Sequence, residues 1–111
     1  MQEYMVLSQE GVVKLPAHLS WEEAATLPCA AVTAWAGLVE HAQVKAGDTV
    51  VTLGSGGVSI FALQLGKMTG ARVIITSSSD AKLERARAMG ADHCINYKST
   101  PNWEEKVLEL T

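Results

Sequence analysis

The sequence is poor in cysteine, in unbroken apolar runs and in any excess of one charge, and each shortage removes a class of function. Two cysteines, Cys29 and Cys94, stand among 111 residues with no Cys-x-x-Cys pair. That spacing offers neither a disulfide framework nor a zinc knuckle, and two isolated thiols fit a reducing compartment. Nine Lys and Arg face 12 Asp and Glu, a net charge of −3 with the signs interspersed. No basic stripe exists to follow a nucleic-acid backbone. The longest apolar run falls far short of the about 18 residues that a membrane span needs. Met1-Gln2-Glu3 is acidic and leads into no signal-peptide core. The expected location is therefore the cytoplasm, with no nucleic-acid or membrane partner.

What is present suits one globular domain, since 48% of the residues are hydrophobic and 19% charged. Residues 4–7 and 12–15 read as two short strands around the turn-rich Ser8-Gln9-Glu10-Gly11. Ser20 and Glu23 stand at capping-box spacing and predict a short helix over 21–27. Pro28 interrupts it and suits the first turn of the next helix, 29–41. Val32, Trp35, Ala36 and Val39 recur there at helical period with few charges, which predicts a buried helix. Lys45-Ala46-Gly47-Asp48 is a turn. Beyond it the pattern is regular: strand 49–53, helix 58–68 stopped by Gly70, strand 72–76, helix 80–89 stopped by Gly90, strand 93–96, and helix 101–110 with Thr100 as cap. The order β-α-β-α-β-α implies a parallel sheet.

The turn Gly54-Ser55-Gly56-Gly57-Val58-Ser59 carries the chemistry. It leaves a strand and enters a helix, whose first N–H groups have no internal partner and favour an anion. Gly54 allows the tight turn, and Gly56 lets the backbone approach a pyrophosphate. The third position of the G-x-G-x-x-G pattern, where glycine permits close helix–strand packing, holds the small Ser59. Strand before, helix after and second strand close behind are the context that the dinucleotide fingerprint requires. The expected fold class is α/β: a partial Rossmann fold, a parallel three-stranded β-α-β-α-β-α unit preceded by two short strands and a helical connection. Gly54, Ser55, Gly56, Gly57 and Val58 are the expected cofactor-binding residues of the loop.

The tip of the second strand selects the dinucleotide. An NAD-selective site places an acid there, roughly 20 residues on, to bond the ribose 2′-hydroxyl. This strand instead runs into Ser77-Ser78-Ser79, with Lys82 one turn into the next helix. Hydroxyls, free amides and a lysine suit a 2′-phosphate, so NADP(H) is expected, held by Ser77, Ser78 and Lys82. Lys82 also reads as a solvated surface lysine. Asp80, the nearest acid, reads as a first-turn residue complementing the helix dipole. The missing acid also argues against an S-adenosylmethionine-dependent methyltransferase, which shares the glycine loop.

The residues 16–28, Thr33-Ala34-Trp35, 45–51, 54–59 and Gly90-Ala91-Asp92-His93 together resemble the medium-chain dehydrogenase/reductase superfamily, in its zinc-type alcohol dehydrogenase-like and quinone oxidoreductase-like branches. The resemblance covers essentially the whole chain in the right order. It implies a longer two-domain enzyme: residues 1–19 ending a GroES-like catalytic domain, 20–48 a helical connection, and 49–111 the first half of an NADP-binding Rossmann domain. It implies that Thr33 approaches the nicotinamide, and that Lys82 and Tyr97 bind the 2′-phosphate. Tyr97 also reads as a rim aromatic. At Cys29 the resemblance puts a ligand of the catalytic zinc found in the zinc-dependent members; quinone reductase-like members share the local pattern without zinc, and a buried free cysteine is the other reading. His93 and Cys94 are adjacent on a strand, so their side chains cannot share one metal.

A full dinucleotide fold uses two mononucleotide halves, and this chain carries one. The implied activity is hydride transfer between NADP(H) and a carbonyl, alcohol, quinone or activated alkene, with no turnover expected from the 111 residues alone. No residue takes a catalytic role on this reading. A non-catalytic nucleotide-binding or structural module of the same fold stays open. The bare sheet edge suits self-association.

Overall fold

A computed structural model describes residues 3–111. Met1 and Gln2, which open the expected 1–19 segment, lie outside the described residues. Three parallel strands form one sheet in the order β1-β2-β3, with β1 at Thr49–Thr52, β2 at Arg72–Ser77 and β3 at His93–Asn96. The register aligns Val50 with Val73 and Ile75 with Cys94. Helix α3 (Gly57–Met68) links β1 to β2, and α4 (Asp80–Ala88) links β2 to β3. Helix α5 (Trp103–Leu110) follows the last strand. The β-α-β-α-β-α order read from the sequence is the observed one, with element ends within two residues of expectation.

Alternation along the strands builds the core. Val50, Val73 and Ile75 share a face and pack with Leu63 of α3 and with Leu83 and Ala86 of α4. Both linking helices therefore lie on the same side of the sheet. Val73, Ile74 and Ile75 are all fully buried, and a run buried on both faces is what a central parallel strand requires. Each such side chain contributes about 1.5–3 kcal/mol by leaving water. A Cβ added to Gly66 would lie 2.8 Å from Val73 Cγ2. Close approach of helix to sheet is thus made at Gly66, two turns into α3, and the third fingerprint position is free to be Ser59.

At the bottom of the sheet Lys67 Nζ donates to both oxygens of Asp92, at 3.0 and 2.8 Å, and to the Ala71 carbonyl. Asp92 Oδ2 also accepts from the Val73 amide at 2.7 Å. Burial pushes the Asp92 carboxyl up, but the bonds from Lys67 and Val73 and the Lys67 charge outweigh it and hold the group below the ordinary carboxylate range. One ion pair so ties the end of α3 to the starts of β2 and β3.

The first third of the chain departs from expectation. Residues 4–7 and 12–15 form no ladder; the only regular element between them is a 3-10 turn at Gln9–Gly11. A strand is completed by hydrogen bonds to a neighbour, and no neighbour lies beside these residues among those described. Their apolar side chains stay in solvent, with Val6 100% and Val13 90% exposed. Helix α1 (Trp21–Ala25) starts at the expected capping box: the Glu23 amide donates to Ser20 Oγ at 3.1 Å, and the Ser20 amide donates to Glu23 Oε2 at 2.9 Å. A continuous helical stretch then runs through Leu27–Ala31 and Ala36–His41, both π-wound, with α2 (Val32–Trp35) between them. The expected burial of this stretch is only partial. Ala34 is buried, whereas Val32 and Trp35 are exposed and border an apolar groove with Phe61 and Leu65 of α3. At the far end, α5 starts from Asn102 instead of Thr100, whose amide is taken by the Asn96 carbonyl in the preceding turn.

Candidate dinucleotide site

The loop at the C-terminal end of β1 is shaped by its own backbone and by the tip of β2. Gly54 has φ +86°, a left-handed conformation that glycine adopts without strain. Its amide donates to Thr76 Oγ1 at 2.9 Å, and that hydroxyl donates to the Thr52 carbonyl at 3.3 Å. Thr76 therefore clamps the loop's root to the neighbouring strand. Ser55 Oγ and Ser77 Oγ are 2.8 Å apart and form a second tie across the tips. Thr52 Oγ1 is buried here and finds no partner among the described residues.

Gly56 precedes α3 in extended conformation, and the first helical bond runs from the Ile60 amide to the Gly56 carbonyl at 3.0 Å. The amides of Gly57, Val58 and Ser59 come before that bond and have no helical acceptor. A Cβ built on Gly54 or Gly56 would meet nothing within 4 Å. The loop is therefore uncrowded at these two glycines, and the unpaired amides follow directly after Gly56. Amides left free at a helix start favour an anion by charge and by hydrogen bonding. Gly57 also serves helix packing. A Cβ there would lie 3.3 Å from Ala30 Cβ, so the start of α3 sits tightly on the helical connection. Ser59 Oγ donates back to the Leu53 carbonyl at 3.3 Å.

At the tip of β2, Ser77 is buried, and its hydroxyl accepts from the Ser79 amide besides meeting Ser55. Ser78 is half-buried and Lys82 is exposed. No acid caps the strand; Asp80 opens α4, and its Oδ1 accepts from Asn96 Nδ2 at 2.7 Å. Tyr97 follows β3, its amide bonded to the Ser77 carbonyl at 3.1 Å and its side chain 42% exposed. Residues 54–59, 77–79 and Tyr97 are thus brought to one end of the sheet. Thr33 and Cys29 stand on the helical connection, whose Ala30 packs against Gly57 at the start of α3, and Thr33 Oγ1 donates to the Cys29 carbonyl at 2.7 Å. Cys29 is exposed, which corrects the reading of a buried thiol. The described residues contain no group of three or more metal-ligating side chains. Cys94 is the more enclosed thiol; burial pushes it up, and Sγ donates to the Leu83 carbonyl.

Known proteins place this geometry. Residues 57–111 match the zinc-binding dehydrogenase family. A zinc-type alcohol dehydrogenase-like protein of Schizosaccharomyces pombe is 57% identical over 99% of this chain. The chain belongs to the medium-chain dehydrogenase/reductase superfamily, in its zinc-binding dehydrogenase branch. It spans 32% of the S. pombe protein, about a third of the relative's length. The crystal structure of an NAD-dependent alcohol dehydrogenase superimposes with a TM-score of 0.90 at 44% identity, covering 98% of this chain and 32% of that one. A mycobacterial structure complexed with NADPH superimposes with a TM-score of 0.70 at 34% identity, covering 76% and 26%. Both nicotinamide dinucleotides thus occur in the names of similar structures.

The sequence reading missed three residues that shape the site or the packing beneath it. Thr76 carries no signal that separates a clamp from an ordinary strand threonine. Gly66 stood inside a helical pattern, where a glycine that costs helix stability points to packing. Asn96 stood at a strand end ahead of a turn, the place where asparagine bonds the amide two residues on; the Lys98 amide does donate to its Oδ1, at 3.0 Å.

Proposed function

We propose that this chain is the dinucleotide-gripping part of an NADP(H)-dependent oxidoreductase that moves hydride between the cofactor and a carbonyl, alcohol, quinone or activated alkene. The observation that carries the reading is the uncrowded backbone at Gly54 and Gly56, followed directly by the start of α3. When bound, the nicotinamide cofactor supplies the hydride chemistry. The chain's own residues bind and orient. The amides of Gly57, Val58 and Ser59 receive the pyrophosphate, with Gly54, Ser55 and Gly56 shaping the approach. Ser77 braces the loop through Ser55, while Ser78, Lys82 and Tyr97 present donors to a 2′-phosphate. The absence of an acid on β2 favours that phosphate over a bare ribose hydroxyl.

On the same reading residues 1–19 close a catalytic domain, 20–48 connect it, and 49–111 form the first half of the cofactor domain. Thr33 then lies toward the nicotinamide end, and Cys29 is the one residue of this chain offered as a zinc ligand. The protein works in the cytoplasm, with a small-molecule substrate. The 111 residues alone bind without turnover.

Titration with NADPH, NADH and S-adenosylmethionine, followed by thermal shift, tests the reading, because a ligand of the native state raises its melting temperature. NADPH is expected to give the largest shift and S-adenosylmethionine none. Lys82→Ala should weaken NADPH by roughly tenfold or more, the effect of losing one charge-assisted hydrogen bond, and leave NADH nearly unchanged. Equal losses for both dinucleotides would reject the 2′-phosphate assignment.

A further inference from the structure

The ladder between β1 and β2 ends at the pair Thr52 and Ile75. Gly54 lies two residues beyond it, at φ +86°, where the chain turns out of the sheet. A side chain continues there what the ladder no longer does. The Gly54 amide donates to Thr76 Oγ1 at 2.9 Å, and Thr76 Oγ1 donates to the Thr52 carbonyl at 3.3 Å. A hydroxyl carries one proton and two acceptor sites. The proton goes to Thr52, and a lone pair receives Gly54. Thr76 is only 2% exposed, so water has little access to replace it, and a polar group left unpaired in such a place is costly.

Two other hydroxyls act on the loop in different ways. Ser59 Oγ donates to the Leu53 carbonyl at 3.3 Å and closes the loop on itself. Ser55 Oγ meets Ser77 Oγ at 2.8 Å, through a side chain that can rotate. Thr76 instead grips the backbone itself, from the neighbouring strand. Two residues past Gly54, Gly56 leads into α3 and the unpaired amides of Gly57, Val58 and Ser59. The aim of an amide is set by backbone dihedrals alone, so the conformation of the loop's root decides where these three point. We propose that Thr76 is a positioning residue for the pyrophosphate: its hydroxyl holds the loop at Gly54 and so keeps the amides of Gly57, Val58 and Ser59 arrayed for an anion before the cofactor arrives. The proposal rests on the dinucleotide reading above. It does not rest on the choice between NADP(H) and NAD(H), because both carry the pyrophosphate.

The test is made in the complete polypeptide, by measuring NADPH and NADH dissociation constants and folding stability for the wild type and three variants. Thr76→Val keeps nearly the same shape and removes both hydrogen bonds. It should weaken the two dinucleotides by the same factor, about tenfold, because each must then supply the ordering that the hydroxyl provides now. Thr76→Ser keeps the hydroxyl and should bind both within about threefold of the wild type. Thr76→Cys, whose thiol is a weak donor and acceptor, should fall between the two. If Thr76→Val does not fold, a cysteine variant that binds as tightly as the wild type overturns the proposal. Lost stability with both dissociation constants within about twofold of the wild type would show a merely structural role and overturn it. A loss confined to one dinucleotide would do the same, since the pyrophosphate is shared, and so would a serine variant as weak as the valine one. A wild type that binds neither dinucleotide would overturn the dinucleotide reading and this proposal with it.

Discussion

Two segments of the molecule are built from similar side chains and end in opposite surroundings. Residues 3–15 contain Tyr4, Val6, Val12 and Val13, and β2 contains Val73, Ile74 and Ile75. The β2 side chains are fully buried, while Tyr4 is 89% and Val6 100% exposed. Propensity does not separate the two, since both are rich in residues that suit a pleated surface. Partners do. β2 has a strand on each side and two helices on one face, whereas no ladder reaches residues 4–7 or 12–15 among the described residues. Apolar patterning says that a segment will be covered; the covering element must be found elsewhere.

Three measurements sharpen or break this contrast, from the largest effect to the smallest. Ile75→Ala removes a fully buried side chain from between α3 and α4 and should cost about 2–5 kcal/mol in unfolding free energy, read by denaturant titration. A cost below about 1 kcal/mol would mean that the β2 core collapses around the gap and is softer than its burial implies. Asp92→Asn probes the ionic tie under that core. The wild-type carboxyl lies below its unfolded value, so its stabilisation is present above about pH 3.9 and is lost as the pH falls through the lower folded value. The advantage of wild type over variant should be about 1 kcal/mol or less at neutral pH, because a third of each partner's side chain stays exposed to water. It should shrink on acidification, and an advantage that grew toward acid would refute the tie. Val6→Ala should change the stability of the 111-residue chain by less than about 0.5 kcal/mol and cost more in a polypeptide that also carries the proposed catalytic domain. A large cost in the chain alone would show that residues 3–15 are covered after all.

The cofactor half was legible because each of its signals was local. A glycine loop between strand and helix, glycine stops and alternating strands all specify conformation within a few residues, and Gly54, Ser20 and Glu23 stand as their spacing predicts. The N-terminal strands were misplaced because a strand is a relation between segments, and periodicity describes only one of them. The groove at Val32 and Trp35 makes the same point for a helix: the period indicated which face seeks cover, without saying what lies there. The ties that set the site were illegible for a further reason. Thr76 to Gly54, Ser77 to Ser55 and Asn96 to Asp80 join residues 16 to 22 positions apart, and a hydroxyl or carboxamide looks the same in sequence whether it meets such a partner or water.

The two ties between the tips of β1 and β2 also turn the site into a gauge. Gly54 is bonded to Thr76 and Ser55 to Ser77, so the loop and the neighbouring tip move as one object with a fixed span between them. A molecule with two anionic groups meets that span ready-made. If its own spacing matches, both ends engage with little ordering left to do; if it is longer or shorter, one end stays in water. Under the proposed function, such a span would let the chain select its ligand partly by length, before any side chain reads the ligand's chemistry.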